Sequence, residues 1–148
     1  MQKMEQLYRQ IIMDHYKNPR HKGLKEDPAF ITHRHKNPSC GDDITIQSRV
    51  EDGIIQEIRH EGTGCSICCS SASVVASLLT GKPIQEARTL IHNYIKMIAN
   101  QPFEHKDALE DALAYEGVKQ FPARIKCATI AWKALEATLD EKEGETVE

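Results

Sequence analysis

The sequence lacks any long run of apolar residues and is poor in aromatic ones. Phe, Trp and Tyr together make up 5% of its 148 residues, and the first dozen positions mix Gln, Lys, Glu and Arg with apolar residues. A membrane-spanning helix needs about 20 predominantly apolar residues in succession and a signal peptide needs an apolar core, so neither is predicted. We therefore expect a cytoplasmic protein that does not bind a membrane.

The sequence also lacks an excess of positive charge. It has 19 Lys and Arg against 22 Asp and Glu, which gives a formal net charge of -3. Several bases stand between Lys17 and Lys36, but nucleic-acid surfaces combine such clusters with aromatic side chains that stack on single strands, and few aromatics stand here. Nucleic-acid binding is not predicted. This basic edge is interpreted as a solvated surface or as a surface that docks a protein.

Length and composition favour one folded domain. Hydrophobic residues make up 40% and charged residues 28% of the chain, an ordinary balance for a globular protein. A chain of this length buries about 70% of its unfolded surface and needs no disulfide to fold. The last residues are strongly acidic, so the sequence predicts a single domain over residues 1–139 and a disordered acidic tail over residues 140–148.

Hydrophobic periodicity predicts an α+β fold. Residues 44–51 alternate between apolar and polar, Asp52-Gly53 is typical of a two-residue hairpin turn, and residues 54–61 form the return strand. With a short strand over residues 31–36, they make a small antiparallel three-stranded sheet. Helical spacing then predicts helices that pack on one face of this sheet. These helices cover residues 4–15, 66–80 and 84–98, a short stretch near 107–114, and the chain from Ala123 onward.

Cysteines are the most informative residue type of the chain. Their number is odd and a reducing compartment is expected, so a framework of disulfides is not predicted. Structural thiols, metal ligands and reactive thiols remain open as roles. The seven histidines, by contrast, are scattered, and most are interpreted as surface residues. The five cysteines are Cys40, Cys65, Cys68, Cys69 and Cys127.

Three of the cysteines stand where predicted elements begin. Cys40 lies in a loop, with Asp42 two residues further on, while Cys65 opens one helix and Cys127 lies near the start of the last one. The N-terminus of a helix favours a thiolate over a thiol. Three thiolates and one carboxylate also form a donor set that tetrahedral zinc accepts. The spacing indicates a Cys3Asp metal site, with small buried cysteines as the alternative because no common zinc-finger spacing matches.

Two basic residues next to Cys127 could balance the charge of such a site. Three thiolates and one carboxylate carry more negative charge than Zn²⁺ neutralises, so neighbouring cations would stabilise the arrangement. Arg124 and Lys126 flank Cys127 in the sequence. They are therefore candidates for supporting the charge of the site.

Cys65 and Cys68 have the C-x-x-C spacing of dithiol redox enzymes, in which one thiolate attacks and the other resolves. Those enzymes place the motif in a parallel βαβ pattern, whereas a predicted hairpin precedes it here. Redox activity is therefore not favoured. Cys68 and Cys69 are interpreted as packing residues in a helix that is rich in small side chains.

Four sequence motifs, in this order, resemble the IscU/SufU family of iron–sulfur cluster assembly proteins. They are Asp-His-Tyr-Lys-Asn-Pro-Arg at residues 14–20, Asn-Pro-Ser-Cys-Gly-Asp at 37–42, Gly-Cys-Ser-Ile at 64–67 and Arg-Ile-Lys-Cys at 124–127. The resemblance spans nearly the whole chain and is closer to the SufU type, because Lys126 stands where IscU-type scaffolds carry a histidine. Residues 118–124 also lack their Leu-Pro-Pro-Val-Lys segment. Part of residues 100–122 resembles the extra segment of SufU-type proteins, and the family's α+β fold agrees with the periodicity.

The resemblance implies a zinc ion held by Cys40, Asp42, Cys65 and Cys127. It further implies a zinc-dependent sulfurtransferase in which Cys40 accepts persulfide sulfur from a pyridoxal-phosphate-dependent cysteine desulfurase of the SufS type. That sulfur would pass to an assembly scaffold of the SufBCD type. The alternative is a scaffold on which the same residues assemble an Fe–S cluster, although Lys126 is not a metal ligand as a histidine would be. A purely structural zinc module is a third interpretation.

Overall fold

The computed structural model describes the backbone of residues 2–147 and the side chains of residues 5–144. A helix precedes three strands, and further helices follow them. No helix in this described part combines the length and apolar character needed to cross a membrane. The elements are α1 (Gln2–Lys17), β1 (Ile31–Asn37), β2 (Asp42–Glu51), β3 (Ile54–Thr63), α2 (Ser66–Leu79), α3 (Ile84–Ile98), a 3-10 segment (Lys106–Gln120) and α4 (Pro122–Val147).

The three strands form one antiparallel sheet in the order β1-β2-β3, which confirms the predicted α+β fold class. The turn between β2 and β3 is made by Asp52 and Gly53, whose φ angles of 54° and 73° are those that a tight hairpin turn requires. At the opposite end of β2, Asn37 pairs with Asp42 across the β1–β2 ladder. The short loop between these two residues, which carries Cys40, is therefore fixed at one end of the sheet.

Helices α2 and α4 cover one face of the sheet. The alternation of β2 and β3 turns Ile44, Ile46, Ile55 and Ile58 toward them, and all four side chains are buried. The helices bury their own apolar residues against this layer, and Trp132 of α4 lies at the centre with no exposed surface. The resulting hydrophobic core runs from the sheet through α2, α3 and α4 to the 3-10 segment.

Helix α4 replaces most of the tail that the sequence predicts as disordered over residues 140–148. It continues to Val147, and Glu148 lies outside the described residues. The acidic residues of this stretch meet a base from another helix: Arg88 Nη1 lies 2.7 Å from Asp140 Oδ1, and Arg88 Nε lies 3.2 Å from Glu143 Oε1. Because Arg88 is distant in sequence, composition alone could not indicate this compensation.

The polar stretch before α4 is also more regular than the sequence indicates. Instead of one short helix near residues 107–114, 3-10 turns span Lys106–Gln120 and are interrupted at Glu110, where φ is 47°. Tyr115 anchors this segment, because its ring is fully buried and its hydroxyl donates a 2.6 Å hydrogen bond to Ser70 of α2. A single buried aromatic among many polar residues gives no clear helical period.

Two of the seven histidines, His15 and His60, are buried. His15 contacts Ser73 through Nδ1 at 2.8 Å and Asp111 through Nε2 at 2.9 Å. His60 Nε2 lies 2.7 Å from the carbonyl oxygen of Arg20. Both histidines bind partners from distant segments, and periodicity within one element does not report such partners.

The burial of His60 is expected to make the folded protein less stable in acid. Burial lowers the pKa of His60 below its ordinary value of 6.5, so the folded protein keeps the ring neutral where the unfolded chain protonates it. The stability that depends on the neutral ring is fully present above the pKa that His60 has in the unfolded chain. It is lost as pH falls toward the lower pKa of His60 in the folded protein, at up to ~1.4 kcal/mol per pH unit. His60→Gln should therefore show a shallower decline in the free energy of unfolding below about pH 6.5.

Urea unfolding of both proteins across this pH range measures the difference. His21 and His35, whose pKa values burial also lowers, should leave part of the decline in place in the variant. Identical pH slopes for the parent and His60→Gln would contradict the assignment.

Candidate metal centre

Three of the four sequence-predicted ligands meet at the loop between β1 and β2. Cys40 lies in that loop, Asp42 begins β2, and Cys127 lies in the second turn of α4. One ligand atom from each residue lies within 4.8 Å of the other two. Cys40 is half-buried, whereas Asp42 and Cys127 are buried. Two thiols and a carboxylate at this separation form a donor set that fits zinc.

The fourth predicted ligand, Cys65, lies beside this group. It stands just before α2, and its main-chain N–H donates a 3.1 Å hydrogen bond to Asp42 Oδ1. Burial raises the pKa of the Cys127 thiol, and hydrogen bonds with Asp42, Cys40 and Cys65 raise it further. Four groups that ionise to anions thus face one another, and since like charges resist ionisation together, the arrangement favours a bound cation.

Two glycines allow the backbone to make this arrangement. Gly41, between Cys40 and Asp42, has φ of 71°, a left-handed conformation that glycine adopts without strain. Gly64, just before Cys65, has φ of 155°, and the missing side chain leaves the space that the Asp42 carboxylate occupies. Both glycines are therefore part of the geometry that places the thiols and the carboxylate.

Gly64→Ala is expected to weaken zinc binding by about 10–100-fold, the range typical for disturbing the support of a metal ligand. A Cβ atom at this position would lie 2.5 Å from Asp42 Oδ1 and 3.2 Å from Asp42 Cγ, so the carboxylate must move. Competition with a chromophoric chelator measures the affinity. Gly53→Ala is the matched control, because Gly53 also has a positive φ but has open space at the β2–β3 turn. Equal zinc affinity in the two variants would contradict the role of Gly64.

Arg124 lies beside the thiols, as its position in the sequence indicates. A hydrogen bond with Cys127 raises the pKa of the guanidinium group, and attraction to the Cys65, Cys127 and Cys40 thiolates adds to the effect. The side chain is exposed to solvent, so it can offset the charge of the site without being enclosed by it. Lys126 is also exposed, and its support of the site remains a prediction.

Asn37 is a site residue that the sequence analysis missed. Its side chain is buried, and its amide nitrogen Nδ2 lies 3.3 Å from Asp42 Oδ2 and 3.8 Å from Cys127 Sγ. The only sequence indication is its place in the motif of residues 37–42, since asparagine is not a usual zinc ligand. Its two contacts become visible once β1 and β2 are paired.

The remaining two cysteines occupy different surroundings. Cys68 is fully buried in the core, as its interpretation as a packing residue requires, and burial raises the pKa of its thiol. Cys69 is half-buried, and its thiol donates to the carbonyl oxygen of Gly64 at 3.7 Å. Burial raises the pKa of this thiol as well. Both thiols are therefore held in the protonated, less reactive form.

Comparisons with known proteins cover nearly the whole chain. The family model of the NifU-like N-terminal domain matches residues 7–141. The zinc-dependent sulfurtransferase SufU of Bacillus subtilis strain 168 is 41% identical over 141 residues, which are 95% of each chain. The iron–sulfur cluster assembly scaffold protein IscU of Thermotoga maritima is 35% identical over 133 residues, covering 90% of this chain and 92% of that one.

The fold is shared as well. The crystal structure of FiSufU from Fervidobacterium islandicum AW-1 superposes with a TM-score of 0.79 at 31% sequence identity. The superposition covers 87% of this chain and 93% of the other. Sequence and structure comparisons together confirm the resemblance that the four sequence motifs indicate.

Proposed function

The chain belongs to the family of NifU-like N-terminal domains, and from this membership we propose that it is a zinc-dependent sulfurtransferase of iron–sulfur cluster assembly. The observation that carries the proposal is the meeting of Cys40, Asp42 and Cys127 within 4.8 Å. A relative named as a zinc-dependent sulfurtransferase matches nearly the full length of the chain. We place the reaction in the cytoplasm, where thiols stay reduced.

The residues proposed to hold zinc are Cys40, Asp42, Cys65 and Cys127. When bound, zinc keeps the three thiols ionised at neutral pH and provides the positive charge that the donor set requires. The protein's own contribution is to fix the ligands. The main-chain N–H of Cys65 and the side chain of Asn37 hold the two oxygens of Asp42, and Arg124 lies beside the thiols to offset the remaining charge.

Cys40 is the thiol proposed to accept sulfur. It is half-buried in a loop, whereas Cys127 has no exposed surface, so an incoming protein reaches Cys40 first. The donor is a persulfide on a cysteine of a pyridoxal-phosphate-dependent desulfurase of the SufS type, which takes sulfur from free cysteine and releases alanine. The Cys40 thiolate attacks the outer persulfide sulfur, a new S–S bond forms, and the old S–S bond breaks.

The atoms and electrons of this sulfur transfer balance without a further reagent. The electron pair of the broken bond leaves with the sulfur of the desulfurase cysteine, which becomes a thiolate, and Cys40 becomes the persulfide. No net oxidation or reduction of the sulfur pair occurs. The persulfide sulfur on Cys40 then passes to an assembly scaffold of the SufBCD type.

The alternative function is a scaffold on which an Fe–S cluster is built. The same thiols and carboxylate can bind iron, and a relative named as a scaffold is 35% identical to this chain. Lys126 weighs against this alternative, because an ammonium group cannot supply a metal ligand next to Cys127. The two functions predict different behaviour of the zinc-loaded protein.

Alanine release by a cysteine desulfurase separates the two functions. Zinc-loaded protein should accelerate alanine release, and protein stripped of zinc should not. Inert zinc-loaded protein would overturn the proposal, and the alternative would replace it if the stripped protein also assembled a stable cluster from iron and sulfide. Zinc content measured on each preparation is the control for loading.

A further inference from the structure

We propose that Asn37 is the positioning residue of the metal centre, whose amide holds Asp42 and Cys127 in place while Cys40 remains unrestrained by it. The inference rests on the proposed zinc centre and assigns a role to a residue that is not itself a ligand. It follows from the register of the sheet, from two hydrogen bonds and from the burial of the amide.

The register of the sheet places Asn37 next to the proposed ligand Asp42. Asn37 is the last residue of β1, and it pairs with Asp42, the first residue of β2. The loop between them is closed by a 3.2 Å hydrogen bond from the Cys40 N–H to the Asn37 carbonyl oxygen. Backbone pairing on one side and loop closure on the other thus fix the position of the Asn37 side chain.

The side-chain amide uses its two N–H donors on two acceptors that become anions. One acceptor is Asp42 Oδ2 at 3.3 Å, and the other is Cys127 Sγ at 3.8 Å. Asn37 exposes 5% of its surface, so water does not compete freely for these bonds. Hydrogen bonds to charged acceptors are about twice as strong as neutral ones.

Asp42 is held from both sides. Its Oδ1 accepts the main-chain N–H of Cys65 at 3.1 Å, and its Oδ2 accepts the amide of Asn37. The carboxylate therefore cannot rotate without losing one of the two bonds. Cys127 accepts a hydrogen bond from the same amide, and its own thiol donates to the carbonyl oxygen of Ala123 at 4.0 Å.

Cys40 lacks a restraint of this kind from Asn37's side chain. Its thiol donates to the carbonyl oxygen of Ala123 at 3.7 Å and also has a hydrogen bond with the Cys127 thiol. The amide of Asn37 thus holds two of the proposed ligands, Asp42 and Cys127, and does not hold the sulfur-accepting thiol.

The charge of Asn37 matters as much as its position. A neutral amide donates two hydrogen bonds without adding charge to a centre that is already rich in anions. Asn37→Asp has nearly the same shape, but one acceptor oxygen replaces the NH2 group with its two donors, and a second carboxylate is brought against Asp42. Asn37→Gln keeps the donors but moves them by one methylene group, so it cannot reach both acceptors in the same geometry.

The test compares the two variants with the parent and with Asn93→Asp. Asn93 is the matched control, because it is also buried and its amide donates to a carbonyl, that of Glu104 at 3.0 Å, away from the metal centre. Zinc affinity is measured by competition with a chromophoric chelator. The visible absorption of cobalt(II)-substituted protein reports the ligand geometry directly, without any activity assay.

We expect Asn37→Asp to lower zinc affinity by about 10–100-fold and to change the cobalt spectrum, with a smaller change of the same kind in Asn37→Gln. Asn93→Asp should match the parent in both measurements. Parental affinity and an unchanged spectrum in the Asn37 variants would overturn the inference. If Asn37→Asp does not fold, as judged by circular dichroism, the Asn37→Gln spectrum decides.

The same measurements distinguish failure of the proposed sulfurtransferase function from failure of the positioning role of Asn37. A parent that binds zinc but does not stimulate the desulfurase overturns the sulfurtransferase proposal, while weakened zinc binding in the Asn37 variants still supports the positioning role. A parent that is active alongside Asn37 variants of parental affinity and spectrum overturns the positioning role alone.

Discussion

Cys40→Ser is expected to abolish the stimulation of cysteine desulfurase by this protein. The hydroxyl of serine has a far higher pKa than a thiol and is not ionised at neutral pH, so it cannot attack a persulfide sulfur. The other thiol of the three-residue group, Cys127, is buried and does not replace Cys40 at the surface. Alanine release by the desulfurase measures the loss, which should reach the rate of the desulfurase alone.

Cys69→Ser is the matched control for that experiment. Cys69 is also a free, half-buried thiol, and it follows Cys65 by one helical turn. Burial raises the pKa of its thiol, so it is not expected to accept sulfur. Cys69→Ser should stimulate the desulfurase as the parent does. Full stimulation by Cys40→Ser would contradict the assignment of Cys40.

Trp132→Ala is expected to cost about 3–5 kcal/mol of stability, the range for removing a large buried aromatic side chain. Trp132 has no exposed surface, and its ring stacks on Tyr94 of α3 with centroids 3.8 Å apart and planes 2° from parallel. Its indole N–H donates a 2.9 Å hydrogen bond to Ser71 of α2. The substitution removes contacts among three helices at once. Urea unfolding of the zinc-loaded protein measures the change.

Phe121→Ala provides the comparison for Trp132→Ala. Phe121 precedes α4 and exposes 61% of its surface, so its removal should change the free energy of unfolding by no more than about 0.5 kcal/mol. Both substitutions delete an aromatic side chain from the same region of the sequence. A loss below about 1 kcal/mol for Trp132→Ala, which is typical of an average substitution, would contradict its central place in the core.

Local patterns carried enough information to predict the sheet and the main helices. The alternation of residues 44–51 fixed which side of β2 is buried, and Asp52-Gly53 fixed the hairpin, since both features are set by neighbouring residues. The 3-10 turns of Lys106–Gln120 could not be predicted in the same way, because Tyr115 is anchored by Ser70 of another helix. Composition likewise could not indicate the contacts of Asp140 and Glu143, because their partner is the distant Arg88.

The candidate site was predictable in its chemistry and less so in its geometry. Cys40 and Asp42 are two residues apart, so their common location follows from the sequence. Their meeting with Cys127 depends on how α4 packs against the sheet, and here the resemblance to a known family supplied the prediction. Asn37 could not be identified, because its role depends on the pairing of β1 with β2 and not on any property of the residue alone.

The most direct measurement is to locate the sulfur after a single turnover. Zinc-loaded protein is mixed with a desulfurase and isotopically labelled cysteine, trapped with an alkylating reagent, digested and mapped by mass spectrometry. The account predicts labelled persulfide sulfur on the peptide that contains Cys40 and none on the peptides that contain Cys69 or Cys127. Labelled sulfur on another cysteine, or none on the protein while the desulfurase turns over at a stimulated rate, would contradict it.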